Sequence, residues 1–341
     1  MEKSYTTDGK VTHHSTEEDI NEKLSRIIGE KFRKYRERWD DVHANFLETE
    51  FPMFLQVHPN QNCNYKCPHC LLGQSDVKKA YKETSMKFEL FKRIVDEGKE
   101  FNCPSISIQG WNEPLSMKKL FEYIKYAKDK DFIDIMLNSN GSLLDENKIK
   151  KILDSGLTRI RFSMDAATEA TYKKVRLEDG FDKIKENISN LIELRNKGNY
   201  QLPIVGASFC EIITNTHEKE LFVDSWSKIV DFVSIQTFMP PVHNEVYNKY
   251  YTESQNTNDN IPSLFKCPQP FERVDIHDNM VFPCCYYSSK ELKIGDLNKG
   301  TIYEAWNSDR AKYIRSVCRS GEYYKIYECN RCVKSTFGRI E

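Results

Sequence analysis

The sequence predicts an α/β fold built around a parallel β-sheet. Strand-like apolar runs and helix-like periodic segments alternate in six units between residues 51 and 236. Strand–helix units in series are typical of a parallel sheet covered by helices, and right-handed crossovers curl such a sheet toward a barrel. Periodicity leaves open whether the barrel is closed or partial. The strand candidates are residues 51–57, 106–109, 132–137, 159–164, 204–212 and 232–236.

The first fifty residues are highly charged and predict a helical extension, residues 1–50. Apolar side chains recur at steps of three and four from Ile20 to Phe46, which indicates one or two amphipathic helices packed on the rest of the protein. Ser15 followed by Glu18 matches a capping box and predicts the start of this helix.

The last quarter predicts a smaller α+β region. Residues 240–262 are polar and predict a linker. Residues 271–277 and 280–282 flank Asp278-Asn279, a pattern typical of a β-hairpin with a two-residue turn. A helix is predicted from Ile302 to about Val317. The domain boundaries predicted from this pattern are a barrel over residues 51–245 and a C-terminal domain over residues 246–341.

Composition excludes several classes of partner. The formal net charge of the 341 residues is −1, so no general attraction to nucleic acid or anionic lipid is expected. No apolar run approaches the ~18 residues that span a bilayer, and the polar N-terminus shows no signal-peptide core. A cytoplasmic protein is predicted. In a reducing compartment the eleven cysteines indicate metal or catalytic ligands rather than disulfides.

Three of these cysteines, Cys63, Cys67 and Cys70, follow the first predicted strand within one short segment. A structural zinc site uses four protein ligands, and an electron-transfer iron–sulfur cluster also uses four cysteines. Three thiolates can instead hold three irons of a four-iron cluster and leave the fourth open. The spacing therefore favours a reactive metal centre.

The CxxxCxxC segment resembles the signature of radical S-adenosylmethionine (radical SAM) enzymes. The resemblance implies a partial (β/α)6 barrel of the radical SAM type. It also implies that SAM chelates the open iron and is cleaved to methionine and a 5′-deoxyadenosyl radical, the cofactors supplying the chemistry. Segments after later strands resemble the SAM-contacting motifs of this family, although Asn112 stands where a glycine is usual. The cofactor-binding residues implied are His69, Gly110, Glu113, Asn140, Ser163 and Arg176.

A second group of cysteines resembles the SPASM and twitch domains that bind auxiliary iron–sulfur clusters. The shorter twitch form implies one four-iron cluster with four cysteine ligands. A zinc ribbon needs the same number of ligands, and Cys285 or Cys318 could replace Cys284 or be a spare thiol. The ligands implied are Cys267, Cys284, Cys329 and Cys332.

The resemblance implies hydrogen abstraction from a C–H bond, with electrons from a donor such as flavodoxin or ferredoxin. The substrate predicted is a small sugar, sugar nucleotide or aminocyclitol, undergoing oxidation or epimerisation. Cys210, as a thiol donor, and Glu211, as a proton acceptor, are the candidate catalytic residues. A ribosomal-peptide maturase and a non-catalytic metal-binding scaffold are the alternatives.

Overall fold

The computed structural model describes residues 3–4, 11–15, 18–78, 85–255, 261–285 and 290–338. Its strands form one sheet in the order β1-β2-β8-β7-β6-β5-β4-β3-β9-β10-β11. The strands are β1 Lys3–Ser4, β2 Val11–Ser15, β3 Phe54–His58, β4 Ser105–Ile108, β5 Asp134–Ser139, β6 Arg159–Ser163, β7 Ile204–Glu211, β8 Phe232–Thr237, β9 Arg273–His277, β10 Met280–Phe282 and β11 Gly295–Asp296.

The six strands from β3 to β8 are parallel to one another and form the predicted barrel sheet. Helices cover its outer face and connect successive strands. The helices are α1 Ile20–Ile28, α2 Glu30–Asn45, α3 Ser75–Lys78, α4 Phe88–Glu100, α5 Leu120–Asp129, α6 Glu146–Asp154, α7 Glu169–Arg176, α8 Phe181–Lys197, α9 Lys219–Trp226, α10 Gln269–Glu272, α11 Ile302–Trp306, α12 Asp309–Ser320 and α13 Tyr327–Phe337.

Alternation along the strands separates an apolar outer face from a polar interior. Phe209 of β7 packs on Phe222 of α9 with ring centroids 4.9 Å apart, and Leu55 of β3 lies against α4 beside Gly98. Because successive strand residues point to opposite faces, Gln56 and Cys210 face the interior. The barrel interior is therefore the polar side of the sheet.

The prediction of amphipathic helices in the N-terminal extension is confirmed, and there are two of them. The predicted helix start at Ser15 is wrong. The helix cap is Asp19, whose side chain accepts from the backbone N–H groups of Asn21 and Glu22. Ser15 instead ends β2, which pairs antiparallel with the edge strand β8. A short polar segment such as β2 carries no apolar alternation, so its pairing depends on the free edge of the sheet.

The C-terminal region continues the barrel sheet. The predicted hairpin is confirmed as β9 and β10, with Met280 opposite His277 and Asp278 in the left-handed region at φ 59°. Strand β9 also runs parallel to β3, with Leu55 opposite Val274. The predicted long helix is two helices, because the side chain of Ser308 caps a new start by accepting from Ala311 N–H.

The predicted linker is partly a packed segment. Tyr247 and Tyr251 are buried together with Phe238, and residues 245–250 form a 3-10 helix. Aromatic side chains in a polar sequence supply enough apolar surface to dock the segment. Residues 256–260 of the predicted linker lie outside the described residues.

Candidate active site

The three N-terminal cysteines lie in a tight loop after the carboxyl end of β3. Cys70 N–H donates to the Cys67 carbonyl at 3.0 Å, and Gly73 N–H donates to the Cys70 carbonyl at 3.2 Å. A Cβ atom on Gly73 would lie 2.0 Å from the Cys67 carbonyl oxygen. Only glycine permits this approach, so the loop conformation depends on Gly73.

Two of these sulfurs receive hydrogen bonds from other parts of the site. Tyr65 N–H and Asn140 Nδ2 lie 3.4 Å and 3.9 Å from Cys63 Sγ. Arg176 Nη1 donates to Cys67 Sγ at 3.4 Å. Donors and a positive charge directed at sulfur stabilise thiolates. The donor set fits an anionic iron–sulfur cluster.

Burial opposes thiolate formation in the metal-free loop. It raises the pKa of Cys63 to about 11 and the pKa of Cys70 to about 12. A thiol buried in this way loses its proton when a bound metal cation supplies the missing positive charge.

Glu113 is a buried link between the ends of β4 and β5. Its carboxylate accepts from Ser139 Oγ at 2.7 Å, from Asn140 N–H at 2.7 Å and from Leu115 N–H at 2.9 Å. Burial raises the pKa of Glu113 above its usual range in spite of these donors. Two carboxylate oxygens offer about four acceptor positions, so Glu113 can still accept a hydrogen bond from the predicted cofactor.

Asn112, which departs from the family pattern, closes the turn beside Gly110. Its Oδ1 accepts from Gly110 N–H at 2.9 Å, and its Nδ2 donates to Asn60 Oδ1 at 3.1 Å. Gly110 packs against His58, whose Nδ1 would lie 1.9 Å from a Cβ atom at that position. The asparagine therefore holds the loop as a structural element, and Gly110 is required by the packing of His58.

Asp165 contacts three parts of the site and was absent from the predicted residues. Its Oδ2 lies 2.6 Å from Arg176 Nη2 and 3.6 Å from His69 Nε2, and its Oδ1 accepts from Cys210 N–H at 2.7 Å. Burial alone would raise the pKa of Asp165, but the charge of Arg176 and the His69 contact bring it below its ordinary value. The signal was present in the sequence, because Asp165 follows the end of a predicted strand.

The remaining predicted residues of the barrel lie on two different faces. Ser163 ends β6 on the interior side, opposite Ser208 of β7. Cys210 also faces the interior, and burial raises the pKa of its thiol. Glu211 faces the helical layer, where it accepts from Thr216 Oγ1 at 2.7 Å and pairs with Lys219 at 3.1 Å. The structure brings Cys210 to the site and places Glu211 on the outer face of β7, away from the site.

The C-terminal cysteines meet at one place. Cys329 and Cys332 lie one turn apart on α13, and Cys284 follows β10. Burial, and then the neighbouring Cys285, Cys267, Cys329 and Cys332, raise the pKa of Cys284 well above its ordinary value. The four predicted ligands are therefore close enough to interact.

Cys318 of α12 belongs to this group as well. Hydrogen bonding with the side chains of Cys267 and Cys329, and then burial, raise the pKa of Cys318 well above its ordinary value. Its carbonyl accepts from Cys267 N–H at 3.3 Å. Among the described residues no three His, Cys, Asp or Glu side chains form a group that could hold a single metal ion. The side chains that meet here are cysteine thiols, which are the ligands of iron–sulfur clusters.

Two family models match this chain. The radical SAM superfamily model matches residues 57–206, which hold the cysteine loop, Glu113, Asp165 and Arg176. The chain belongs to the radical SAM superfamily. A model described as an iron–sulfur cluster-binding domain, SPASM, matches residues 267–333. This radical SAM protein therefore carries a SAM-binding four-iron cluster and an auxiliary iron–sulfur cluster.

Curated relatives of this radical SAM protein resemble it over part of their length. A protein named probable GTP 3′,8-cyclase from Methanococcus maripaludis is 29% identical over 178 residues, 52% of this chain and 56% of that one. A GTP 3′,8-cyclase from Aliarcobacter butzleri is 31% identical over 167 residues, 47% and 49% of the two chains. An Fe-coproporphyrin III synthase from Methanosarcina barkeri is 29% identical over 133 residues, 39% and 32% of the two chains. The matched region is about half the length of the two cyclases.

These names correct the predicted function. Relatives named GTP 3′,8-cyclase contradict the prediction of a sugar, sugar-nucleotide or aminocyclitol oxidoreductase or epimerase. The predicted substrate class rested on the resemblance to twitch-domain proteins and on no residue that contacts a substrate. Radical SAM chemistry itself is supported by the family models.

Solved structures share the fold at low sequence identity. BtrN in complex with AdoMet and 2-DOIA has a TM-score of 0.54 at 16% identity and covers 84% of this chain and 94% of its own. The enzyme anSMEcpe with bound AdoMet has a TM-score of 0.58 at 16% identity, covering 82% and 88%. These likenesses confirm the partial barrel with its C-terminal cluster domain. Among the described residues, no helix has the length and apolarity to cross a membrane.

Proposed function

We propose that this protein reductively cleaves SAM at the loop of Cys63, Cys67 and Cys70 and directs the resulting radical to a C–H bond of a small-molecule substrate. The observation that carries the proposal is the arrangement of this loop at the carboxyl end of β3. There, Arg176 and Asn140 direct donors at two of its three sulfurs. When bound, SAM and a four-iron cluster supply one-electron cleavage of a carbon–sulfur bond.

The residues around the cysteine loop bind and orient the cofactor. Arg176 keeps a positive charge beside Cys67, and Asp165 fixes that guanidinium from the opposite side. Asp165 also lies beside His69, which stands edge-on to Tyr250 with ring centroids 6.3 Å apart. An imidazole held between a carboxylate and an aromatic ring offers a fixed surface on which a nucleoside base can stack.

The group of C-terminal thiols is assigned to the auxiliary cluster, with Cys267, Cys284, Cys329 and Cys332 as its ligands. An external electron donor, of the flavodoxin or ferredoxin class, is expected to reduce the SAM-binding cluster. The auxiliary cluster lies in the domain whose strand β9 pairs with β3, the strand that leads into the cysteine loop. The two groups of cysteines therefore belong to parts of the chain that share one sheet.

GTP is the first substrate to test, because relatives of this chain are named GTP 3′,8-cyclase. Their similarity lies in the barrel, and another relative of similar identity is named Fe-coproporphyrin III synthase. The reaction class is therefore proposed from the site, and the substrate is proposed from the relatives.

The test is anaerobic assay of the reconstituted protein with dithionite and SAM. We expect 5′-deoxyadenosine above the blank, and we expect Cys67→Ser to abolish it. Cys103→Ala is the matched control, because Cys103 is buried away from the loop with its thiol 3.6 Å from the Ser105 carbonyl oxygen. Absence of 5′-deoxyadenosine, or its persistence in Cys67→Ser, contradicts the proposal. With GTP present, a new cyclised product measured by mass spectrometry supports the substrate, and unchanged GTP beside active SAM cleavage rejects it.

A further inference from the structure

A cavity of about 260 Å³ lies inside the barrel, between the interior side of the strands and the two N-terminal helices. Ligand pockets that enclose a whole drug-sized molecule are about 300–1,000 Å³, so this one suits a small ion or one end of a larger molecule. Among the residues that the structure describes, its lining includes four arginines and no acidic side chain. The lining residues are Ile20, Asn21, Tyr35, Arg36, Trp39, Phe54, Gln56, Ser107, Gln109, Met136, Leu137, Asn138, Arg159, Arg161, Phe232 and Arg273.

One of the four arginines is already neutralised. Arg159 forms a two-point ion pair with the buried Asp134, with Nε 3.0 Å from Oδ1 and a second contact between Nη2 and Oδ2. This geometry is the strong, planar form of an arginine–carboxylate pair. Arg159 therefore stabilises the barrel. The other three arginines lack such a carboxylate partner among the described residues.

The other three arginines each keep a buried donor without a partner. The Nε atoms of Arg36, Arg161 and Arg273 are buried and make no hydrogen bond within the described part of the chain. Their contacts with carboxylates are long: Arg36 lies 3.7 Å from the exposed Asp40, and Arg273 lies 3.9 Å from Glu272. An unsatisfied buried donor costs about 1–3 kcal/mol, and more when it is charged. Three such donors around one cavity indicate that a ligand with hydrogen-bond acceptors binds there.

Arg161 has the weakest neutralisation of the three. Its Nη1 donates to a neutral group, Ser234 Oγ, at 3.2 Å. Burial and the neighbouring charge of Arg159 lower the pKa of Arg161 to about 10. A bound anion would stabilise the charged guanidinium and so oppose both effects.

An aromatic ring holds two of these guanidinium groups in place. Arg36 and Arg273 lie 5.2 Å and 5.9 Å from the centroid of the Trp39 ring, and Arg273 also lies 5.1 Å from the centroid of the Phe54 ring. Cation–π contacts fix the planes of the guanidinium groups and leave their edges available. The pocket is therefore preorganised for a ligand that accepts hydrogen bonds.

The cavity adjoins the predicted SAM contacts. Gln109 at its border directly precedes Gly110, and Arg161 lies two residues before Ser163 on β6. The cavity therefore lies within one or two residues of two predicted SAM contacts along β4 and β6. Helix α2, which supplies Arg36 and Trp39, belongs to the N-terminal extension and precedes the residues that the radical SAM model matches.

We propose that Arg36, Arg161 and Arg273, here called the arginine pocket, bind an oxyanion group of the substrate, a phosphate or a carboxylate. This inference rests on the proposed function, because it assigns the pocket to the substrate of the same barrel. The chemistry of recognition is a set of guanidinium donors around an oxygen-rich anion.

The experiment is anaerobic calorimetric titration of the reconstituted full chain with two probes, inorganic pyrophosphate and succinate. We expect one probe to bind, and we expect Arg161→Gln and Arg36→Gln each to weaken its binding by about tenfold or more, the effect of losing a charged hydrogen bond. Arg33→Gln is the matched control, because Arg33 lies on the same helix with its side chain exposed. Preference for pyrophosphate identifies a phosphate ligand, and preference for succinate identifies a carboxylate ligand.

Three results overturn the inference. They are no binding of either probe by wild-type protein, equal binding by wild type and both pocket variants, and displacement of the probe by SAM, which would assign the arginines to the carboxylate of SAM. Thermal unfolding of each variant verifies that it folds. If Arg161→Gln does not fold, Arg36→Gln still tests the pocket. SAM cleavage without substrate is measured on the same samples, so failure of the radical chemistry is distinguished from failure of anion binding.

Discussion

Arg176 donates to Cys67 Sγ at 3.4 Å while its other terminal nitrogen lies 2.6 Å from Asp165. One guanidinium thus joins the cysteine loop after β3 to the residue that follows β6. Asp165 holds this position in a left-handed conformation at φ 56°, where its Oδ1 also accepts from Cys210 N–H. A left-handed non-glycine residue at a strand end often marks a functional site, and here it orients a positive charge toward a predicted iron ligand.

Removing the charge of Asp165 is predicted to destabilise the protein. Asp165→Asn keeps the acceptor for Cys210 N–H but leaves Arg176 buried without its carboxylate. Breaking one partner of a buried pair costs about 3–5 kcal/mol. We expect the free energy of unfolding, measured by urea titration of the metal-free protein, to fall by about 3 kcal/mol. Asp224→Asn is the control, since its pair with Lys228 is exposed and contributes little. Equal stability of the two variants would contradict the role given to Asp165.

Acid is predicted to destabilise the protein through His277. Burial, and then the neighbouring His58, lower the pKa of His277 to about 4, and Gln61 Nε2 lies 2.6 Å from its Nε2. An unfolded histidine binds a proton near pH 6.5, so unfolding takes up a proton between these two values. Stability should therefore fall as the pH falls from about 6.5 to about 4, by roughly 3 kcal/mol at most. Urea titrations across this range measure the slope.

His277→Gln provides the comparison for this pH dependence. Glutamine does not titrate and can still accept from Gln61. We expect the variant to lose the part of the slope that lies between pH 6.5 and pH 4, and to keep the steeper loss at lower pH that carboxylates such as Asp165 produce. The contribution of Asp165 has the usual sign for a lowered carboxylate pKa: it is present above pH ~4 and is lost as the pH falls further. An unchanged slope in the variant would show that His277 does not titrate in this range.

Gly73 is predicted to control the cysteine loop without controlling the fold. An alanine Cβ there would lie 2.0 Å from the Cys67 carbonyl oxygen, so the loop must move. We expect Gly73→Ala to lose the iron of the first cluster, about four irons per chain, while far-ultraviolet circular dichroism stays unchanged. In the control, Gly300→Ala, the new methyl group meets the flexible end of the Glu304 side chain. Full iron content in Gly73→Ala would show that the loop tolerates displacement.

The periodic elements were predictable from the sequence because they depend on local pattern. Strand β6 at Arg159–Ser163 and helix α8 at Phe181–Lys197 follow from alternation and from steps of three and four residues. Strand β2 and the pairing of β9 with β3 were not predictable. Both depend on free edges of a sheet that exist only after the barrel forms, and no local pattern encodes which strand fills an edge.

The candidate site was predictable where residues act through spacing along the chain. Cys63, Cys67 and Cys70 lie within one loop, so their spacing alone indicates a shared metal. The position of Asp165 between His69 and Arg176 was not predicted, because the contact joins residues 96 and 11 positions away in the sequence. The face of Glu211 could have been predicted, since strand alternation places it opposite Cys210.

Cys318 is predicted to tune the auxiliary cluster and not to hold it. Hydrogen bonding with Cys267 and Cys329 raises the pKa of its thiol, so the thiol keeps a proton that it can donate. Hydrogen bonds to cluster sulfurs raise the reduction potential because they stabilise the more negative, reduced state. We expect Cys318→Ala to keep about eight irons per chain and to lower the potential of the auxiliary cluster in a titration followed by electron paramagnetic resonance. Cys103→Ala is the control for loss of a buried thiol. If Cys284 is the ligand, Cys284→Ala should lose about four irons per chain. Loss of about four irons in Cys318→Ala, with full iron content in Cys284→Ala, would instead make Cys318 the ligand.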